Sequence, residues 1–505
     1  MVSKNTKQYN VIIAGAGAVG CACARELSAR GISVCVLEKE ADAAFGISGR
    51  NSGVLHCGIN SAPGSLMARL CVEGCENFDA EVSDLGIDFR RTGKYIIALS
   101  PEDIPALEAL LAQGESNGVR GLQMISGREL GKKLHGARAA AAIHASMTGI
   151  FDPFRYTIAL AEKARSRGTD FFFGHRVTDV IRCLHDPSSE HETGRFTVKT
   201  ISPSGCRRDF SCDFFINSGG LCAGEICRMA GIEDYTVHPC RGEYHILDRE
   251  TPLDLPLPVY PVPGKRSGGL GVHLTPSLSG NIMIGPSAEY LQEDDPDQDD
   301  LPFGENYSTT GSVMEKLFIE GRQLLAGMYG EDSSSDPLIS RKDIIRSFSG
   351  VRPKLTSEKE GGFADFVIED RDGFIILAGI ESPGLTASVP IARRVSGMIS
   401  GSGVSGRVRH DVPGGEAGTA RIICRCESVT EKDILDAYDR ILWLGGIPTL
   451  KGLKNRVRAG MGSCQGCFCT VNIIDLLEKK RGIDPLVFCQ DRLPGSKLFA
   501  GRVRR

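Results

Sequence analysis

YNVIIAGAGAVGCACARELSARGISVCVLEK, residues 9–39, decides the amino-terminal fold. Val11 to Ala14 are a short, wholly apolar run, as expected of a parallel strand buried on both faces. Gly15, Gly17 and Gly20 follow as G-x-G-x-x-G, and the helical pattern CACARELSARG begins at once. A second strand, Ser33 to Leu37, ends in Glu38. The first glycine allows a tight turn, the second lets backbone approach a pyrophosphate, and the third lets helix and strand pack closely. The helix amino terminus faces the phosphates, and Glu38 stands where a ribose hydroxyl would be bound. Strand, glycines, helix, strand and acid in register predict a dinucleotide site.

The 505-residue chain is long enough for two or three domains. A net charge of −4 gives no reason to expect nucleic acid or an anionic membrane as partner. The polar opening MVSKNTKQYN runs straight into a strand, which speaks against a secretory signal or organelle presequence. No apolar run approaches the roughly 20 residues of a membrane helix, so no transmembrane segment is expected. Eighteen cysteines without an export signal suggest a reducing compartment. The expected location is cytoplasmic, with a partner as the route to any peripheral membrane association. Cys71 and Cys75, one helical turn apart, read as core filler.

Other loops choose the nucleotide. GISGRNSGVLHCGIN (46–60) is polar and Gly-rich around Gly49, Arg50, Asn51 and Ser52. VTDVI (177–181, opening on Val177) and FFINSGGLCAGEI (214–226) are apolar strands leading into polar or small residues. GIESPGLTASVPIA opens a helix with Gly379, Gly384, Leu385 and Thr386. Separated loops converging on one extended cofactor suit FAD better than NAD. With NSGVLHCGI, PGSLMARLCVEG, RGEYHIL, GGLGVHLTP, IGPSAEY, GVRPKL and ESPGLTAS, residues 9–400 resemble the D-amino-acid-oxidase superfamily of flavoproteins. Within it they are most similar to FAD-dependent glycerol-3-phosphate dehydrogenases and oxidases and to L-2-hydroxyglutarate dehydrogenases. The resemblance implies an α/β fold: a Rossmann-like FAD domain (1–400) with an interleaved α+β substrate portion, mainly 85–150 and 235–335.

Oxidising a secondary alcohol at a flavin needs a base and a clamp for the substrate. Imidazole has a suitable pKa, and the resemblance places His56 along the flavin as that base. It places Arg352 at the substrate, where a guanidinium fork suits carboxylate or phosphate. Arg241 is a second candidate, or a brace for the flavin loop, and His273 a weaker one for orienting the substrate. The acidic LQEDDPDQDDLPFG (291–304) reads as a solvated loop.

SGSGVSGRVRHDVPGGEAGT (400–419) is Gly- and Ser-rich without apolar periodicity and marks a linker over 401–419. Cys424 and Cys426 follow, and Ser428 with Glu431 predicts a helix capping box. GMGSCQGCFCTV (460–471) then brings Cys464, Cys467 and Cys469 ahead of a second helix. Both clusters stand where backbone N–H groups favour negative charge, and KGLKNRVR (451–458) adds cations. A disulfide does not suit a reducing compartment, and zinc prefers wider cysteine pairs than C-x-C. Residues 420–482 resemble the bacterioferritin-associated-ferredoxin-like domain, mainly helical, which implies a 2Fe-2S cluster on Cys424, Cys426, Cys464 and a fourth cysteine. The small ferredoxin uses C-x-x-C, matching Cys467; flavoprotein-fused versions commonly read C-Q-G-x-x-C, matching Cys469. Gln465 and Gly466 favour Cys469. Residues 483–505 form a tail.

The expected function is an FAD-dependent dehydrogenase of a small anionic secondary alcohol, glycerol 3-phosphate favoured. Electrons would leave through the cluster to a quinone or redox protein. The alternatives are L-2-hydroxyglutarate or an amine or amino acid as substrate, or an electron-transfer subunit of a larger complex.

Overall fold

The strand Gln8–Ala14 lies in the centre of an eight-stranded sheet, with Val11, Ile12 and Ile13 fully buried. It pairs in parallel with Val34–Glu38 on one side and Arg207–Asn217 on the other. Asp170–Phe173 and Phe374–Ala378 extend the parallel part, and Arg176–Arg182 and Phe196–Ile201 add an antiparallel edge. Helices Ala18–Ala29, Pro153–Ser166 and Gly384–Met398 pack together beside this sheet. The computed structural model describes residues 7–183, 194–262, 271–292, 306–330, 338–361, 363–399, 411–413 and 421–489. Most of the 401–419 linker, the acidic 291–304 stretch beyond Gln292, and the tail beyond Cys489 lie outside the described residues.

A nine-stranded second sheet interleaves with the first. It takes Tyr95–Ala98, Leu122–Ser126 and Ala141–Ala145 from one part of the chain and His238–Leu247 to Glu289–Tyr290 from another. It also takes Ile344–Lys354, which lies beyond the substrate portion expected at 235–335 and pairs antiparallel along His238–Leu247. That long strand carries Arg352, and it runs from the mouth of the nucleotide site to the carboxy-terminal domain.

The carboxy-terminal domain is a two-stranded hairpin, Ile422–Cys424 with Val429–Thr430, followed by helices Glu431–Leu444, Leu450–Val457 and Cys469–Arg481. Its core holds Ile423, Ile434, Ile441, Leu453, Ile473 and Leu477. The first helix is capped by Thr430, not Ser428. Thr430 Oγ1 accepts the Asp433 N–H at 3.2 Å, and the Asp433 carboxylate accepts the Thr430 N–H at 2.9 Å. Hairpin pairing explains the difference: it holds Val429 and Thr430 extended and pushes Ser428 into the turn, with φ of 53°.

This domain sits on the amino-terminal domain through buried charge. Arg456, 4 % exposed at its side chain, pairs with the fully buried Asp42, and its Nε lies 3.8 Å from Glu162. Arg440 donates from Nε to Glu162 at 3.0 Å, and the Ile447 N–H donates to the Ala41 carbonyl at 2.8 Å. Asp42 lies four residues past Glu38, so the domain grips the rim of the nucleotide site. Among the described residues no helix is long and apolar enough to cross a membrane. The fold is mixed α/β, with a flavin-type domain and a small, mainly helical carboxy-terminal domain.

Candidate active site

One continuous cleft runs from the glycine turn to the second sheet. It is lined by Gly15, Gly17, Glu38, Arg50, Asn51, Ser52, His56, His273, Arg352, Gly379, Gly384, Leu385 and Thr386. Gly20 lies one turn into the helix, behind this lining, where an added Cβ would meet the Gly15 carbonyl. Val177 and Arg241 do not line it. Val177 packs in the sheet core with Ile12 and Phe215.

The nucleotide end fits a dinucleotide. Gly15 has φ of 102°, and a Cβ there would come within 2.7 Å of the Ser218 carbonyl oxygen. Gly17 offers no side chain to cap the helix it begins, so the amino-terminal N–H groups face the cleft. One of them is held by a residue the sequence reading passed over: Ser48 Oγ accepts the Ala18 N–H at 2.9 Å. The Glu38 carboxylate accepts the Ala16 N–H at 2.6 Å and the Glu40 N–H at 2.9 Å, leaving further lone pairs for a ligand. Burial raises its pKa, with Glu40 adding to the effect, and those two N–H groups oppose it. The Arg50 guanidinium stacks 3.9 Å from the Tyr307 ring centroid.

At the other end two histidines face the cleft as neutral rings. Burial holds His56 down to about 3, with Lys94 and His273 adding to the effect. Its Nε2 lies 3.3 Å from Ser382 Oγ, and its backbone N–H donates to Thr386 Oγ1 at 3.1 Å. Burial also holds His273 down to about 3; the Gly271 carbonyl opposes this, while Lys94 and Arg352 reinforce it. His273 Nδ1 donates to that carbonyl at 3.0 Å, which leaves Nε2 as the acceptor. Its ring stacks on Tyr260 with centroids 3.8 Å apart.

The two candidate arginines separate by strand alternation. Gly242 and Tyr244 line the cleft, so Arg241 points to the opposite face. There its Nε lies 3.1 Å from the buried Glu243 carboxylate and its Nη2 donates to Thr310 at 2.8 Å. Arg241 is therefore a brace. Arg352 lies opposite Cys240, and its guanidinium occupies the space that a Cβ on Gly242 would need, 2.7 Å from Nη2. It donates to the Ser287 carbonyl at 3.2 Å and toward Cys240 Sγ at 3.8 Å. The nearby Glu381 is itself paired with Lys354 at 3.0 Å. The fork thus faces the cleft without a carboxylate partner in contact among the described residues.

In the carboxy-terminal domain the thiols meet in two pairs: Cys424 with Cys469, both buried, and Cys426 with Cys464. Cys464 also acts on Cys469 and Cys424 on Cys426, so the four thiols lie near one another, although among the described residues no three His, Cys, Asp or Glu side chains are grouped to hold a metal ion. Two thiolates per iron is what a dinuclear cluster on four cysteines requires. The Phe468 N–H first, and those of Gly466 and Cys467 with the Cys426 thiol, hold the Cys464 thiol below its ordinary pKa against burial. Cys467 is exposed and joins neither pair. Gln465, with φ of 48°, folds its amide back onto the Met461 and Gly462 carbonyls, both at 3.0 Å. The cations of 451–458 do not act as a group on the thiols. Arg456 is spent on Asp42, and Lys454 is pushed down to about 7 by burial and by Arg346, Lys451, Arg458 and Arg50.

Residues 10–398 match DAO, FAD dependent oxidoreductase. The chain belongs to the DAO family. Residues 422–479 match the BFD-like [2Fe-2S] binding domain, so this DAO-family oxidoreductase carries an FAD-binding domain and a 2Fe-2S-binding domain on one chain. It is 30 % identical to a glycerol 3-phosphate dehydrogenase of Caloramator mitchellensis over 98 % of each chain. It is 32 % identical to a mitochondrial L-2-hydroxyglutarate dehydrogenase of Nematostella vectensis, covering 77 % of this chain and 90 % of that one. Among solved structures, FAD-bound L-alpha-glycerophosphate oxidase from Mycoplasma pneumoniae superposes with a TM-score of 0.65 at 25 % identity, covering 77 % of this chain and 94 % of that one.

Proposed function

We propose that the protein is an FAD-dependent dehydrogenase of a small anionic secondary alcohol, with glycerol 3-phosphate favoured and electrons leaving through the 2Fe-2S domain. The observation that carries this reading is the shared cleft in which a neutral His56 faces an Arg352 fork lacking a carboxylate partner in contact. Arg352 binds the substrate anion in two-point fashion. His56 Nε2 accepts the hydroxyl proton, since burial keeps the ring deprotonated. An arriving anion raises the proton affinity of that ring, offsetting the effect of Lys94. Ser382 Oγ holds His56 Nε2 until the substrate hydroxyl takes its place there, and His273, fixed by the Gly271 carbonyl and the Tyr260 ring, orients the carbinol. FAD, held at Gly15, Gly17, Glu38, Arg50, Asn51, Ser52, Gly379, Gly384, Leu385 and Thr386, would supply the hydride acceptor.

Cys424, Cys426, Cys464 and Cys469 would hold the cluster, with Cys467 outside the set. The long strand supports electron exit: Gly350 lines the cleft, and Arg346 donates to Gln465 Oε1 at 3.1 Å, next to Cys464. Four residues of strand span roughly 13 Å. The acceptor beyond the cluster is a quinone or a redox protein, and hydrogen peroxide formation is slow. Glycerol 3-phosphate is favoured because the similar dehydrogenase of that name spans both domains. L-2-hydroxyglutarate is the second reading, supported by the relative matching the flavin part alone. Anaerobic bleaching of the flavin by a panel of glycerol 3-phosphate, 2-hydroxy acids and amino acids tests it. Bleaching by glycerol 3-phosphate within one turnover is expected; bleaching by amino acids alone would overturn the reading.

A further inference from the structure

Lys94 opens the strand-bearing run KYIIAL, and nothing in its sequence distinguishes it from a solvated lysine. In the structure its side chain is completely buried, yet it lines the cleft. Among the described residues its ammonium has two polar or π contacts. It donates to Asn60 Oδ1 at 3.1 Å and lies 4.6 Å from the Tyr260 ring centroid. Asn60 follows His56 by four residues in the same loop, and Tyr260 is the ring stacked on His273. Burial lowers the Lys94 pKa, the thiols of Cys57, Cys71 and Cys75 oppose that shift, and the lysine in turn acts on His56 and His273, so an anion in the cleft would restore its full charge.

A buried ammonium has three N–H donors, and one amide oxygen satisfies one of them. A neutral amide and a π face compensate a desolvated charge only in part. Arg241 shows the usual solution in this same sheet, a buried carboxylate in contact. Lys94 lacks that solution and faces the cavity instead. Arg352 comes from the strand Ile344–Lys354 and Lys94 from the residue just before the strand Tyr95–Ala98, and both line the cleft with His273.

We propose that Lys94 is a second anion ligand of the cleft, acting with Arg352 on a phosphate or carboxylate of the substrate. The inference deepens the dehydrogenase reading and rests on it. Its consequence is specificity: a neutral alcohol leaves both cations uncompensated, whereas a dianion satisfies them together. It also explains the fixed place of Asn60, which aims the ammonium at the carbinol side of the cleft, beside His56, rather than at the nucleotide end.

The test uses full-length holoenzyme, oxidised, titrated with inorganic phosphate and separately with malonate, following perturbation of flavin absorbance. Unmodified protein is expected to bind at least one of them. Lys94→Met should weaken that binding about tenfold to a hundredfold, the range for a lost charge-assisted hydrogen bond. FAD content and flavin midpoint potential should stay unchanged. Asn60→Asp keeps the lysine but gives it an internal counter-ion, and should weaken binding as well, which covers the case in which Lys94→Met does not fold. Preference for phosphate or malonate distinguishes the two anion chemistries. Unchanged affinity in either folded variant overturns the role of Lys94 and leaves the dehydrogenase reading intact. A shifted flavin potential with unchanged anion affinity assigns Lys94 to the flavin and likewise overturns it. Unmodified protein that binds neither anion defeats the inference and the anionic-substrate reading together.

Discussion

The flavin cleft is assembled from Gly15, His56, Lys94, His273 and Arg352, which come from five separate parts of the chain, Lys94 and His273 buried and the other three half-buried. The cysteine site is assembled from two short turns, with Cys426 and Cys464 half-buried and Cys467 exposed. In the cleft, low polarity keeps histidines neutral and leaves two cations facing the cavity. In the turns, backbone N–H groups surround a thiol near water. The contrast follows from what each must do. A hydride-transfer site gains from excluding water and presenting fixed charge, while an electron carrier needs a short route to a partner.

That comparison can be broken from either side. The largest effect is expected for Cys464→Ser: loss of cluster iron and its visible absorbance, with flavin content and flavin bleaching by substrate retained. If both centres are lost, the two regions are not separable. His56→Asn should lower kcat by about 10²- to 10⁴-fold with little change in anion binding, as measured by stopped-flow flavin reduction. Asp42→Asn breaks the buried pair with Arg456 and should destabilise domain docking by about 3–5 kcal/mol, read by chemical denaturation. Flavin bleaching should survive in that variant, while electron delivery to the cluster slows. A smaller effect is expected of pH. Because His56 is held near 3, its basic form persists down the acid range. With the titration of the substrate phosphate near pH 6 divided out, kcat/KM should therefore stay flat from pH 8 to 5, where an ordinary histidine would give a further fall centred near 6.5. Cys467→Ser should change neither iron content nor activity.

How much was legible in the sequence follows the same divide. The glycine turn and Glu38 were readable because strand, turn and helix are contiguous and each residue has one local task. The cysteine spacing was readable as a 2Fe-2S-binding domain for the same reason, while the choice of Cys469 over Cys467 rests on Gln465 and Gly466 and is a proposal. The cap was misplaced because S-x-x-E and T-x-x-D overlap at 428–433, and the hairpin register decides between them. Arg241 and Arg352 looked alike as motif arginines. Alternation along His238–Leu247 turned one away from the cleft, and the space over Gly242 admitted the other. Val177 opened a plausible strand, but its side chain lies on the core side of an edge strand. Lys94 was invisible because its burial arises from packing against residues 57–75 and 260, far away in sequence. Docking by Asp42, Glu162 and Arg456 was equally hidden, since each alone reads as a surface charge.

The central claim is that substrate electrons pass within one chain from the cleft to the cysteine turns. Anaerobic mixing of the reconstituted protein with glycerol 3-phosphate, followed by freeze-quench paramagnetic resonance, tests it most directly. The account predicts the signal of a reduced 2Fe-2S cluster appearing after flavin bleaching and at a rate independent of protein concentration. A bleached flavin beside a cluster that stays oxidised until a second protein is added would contradict it.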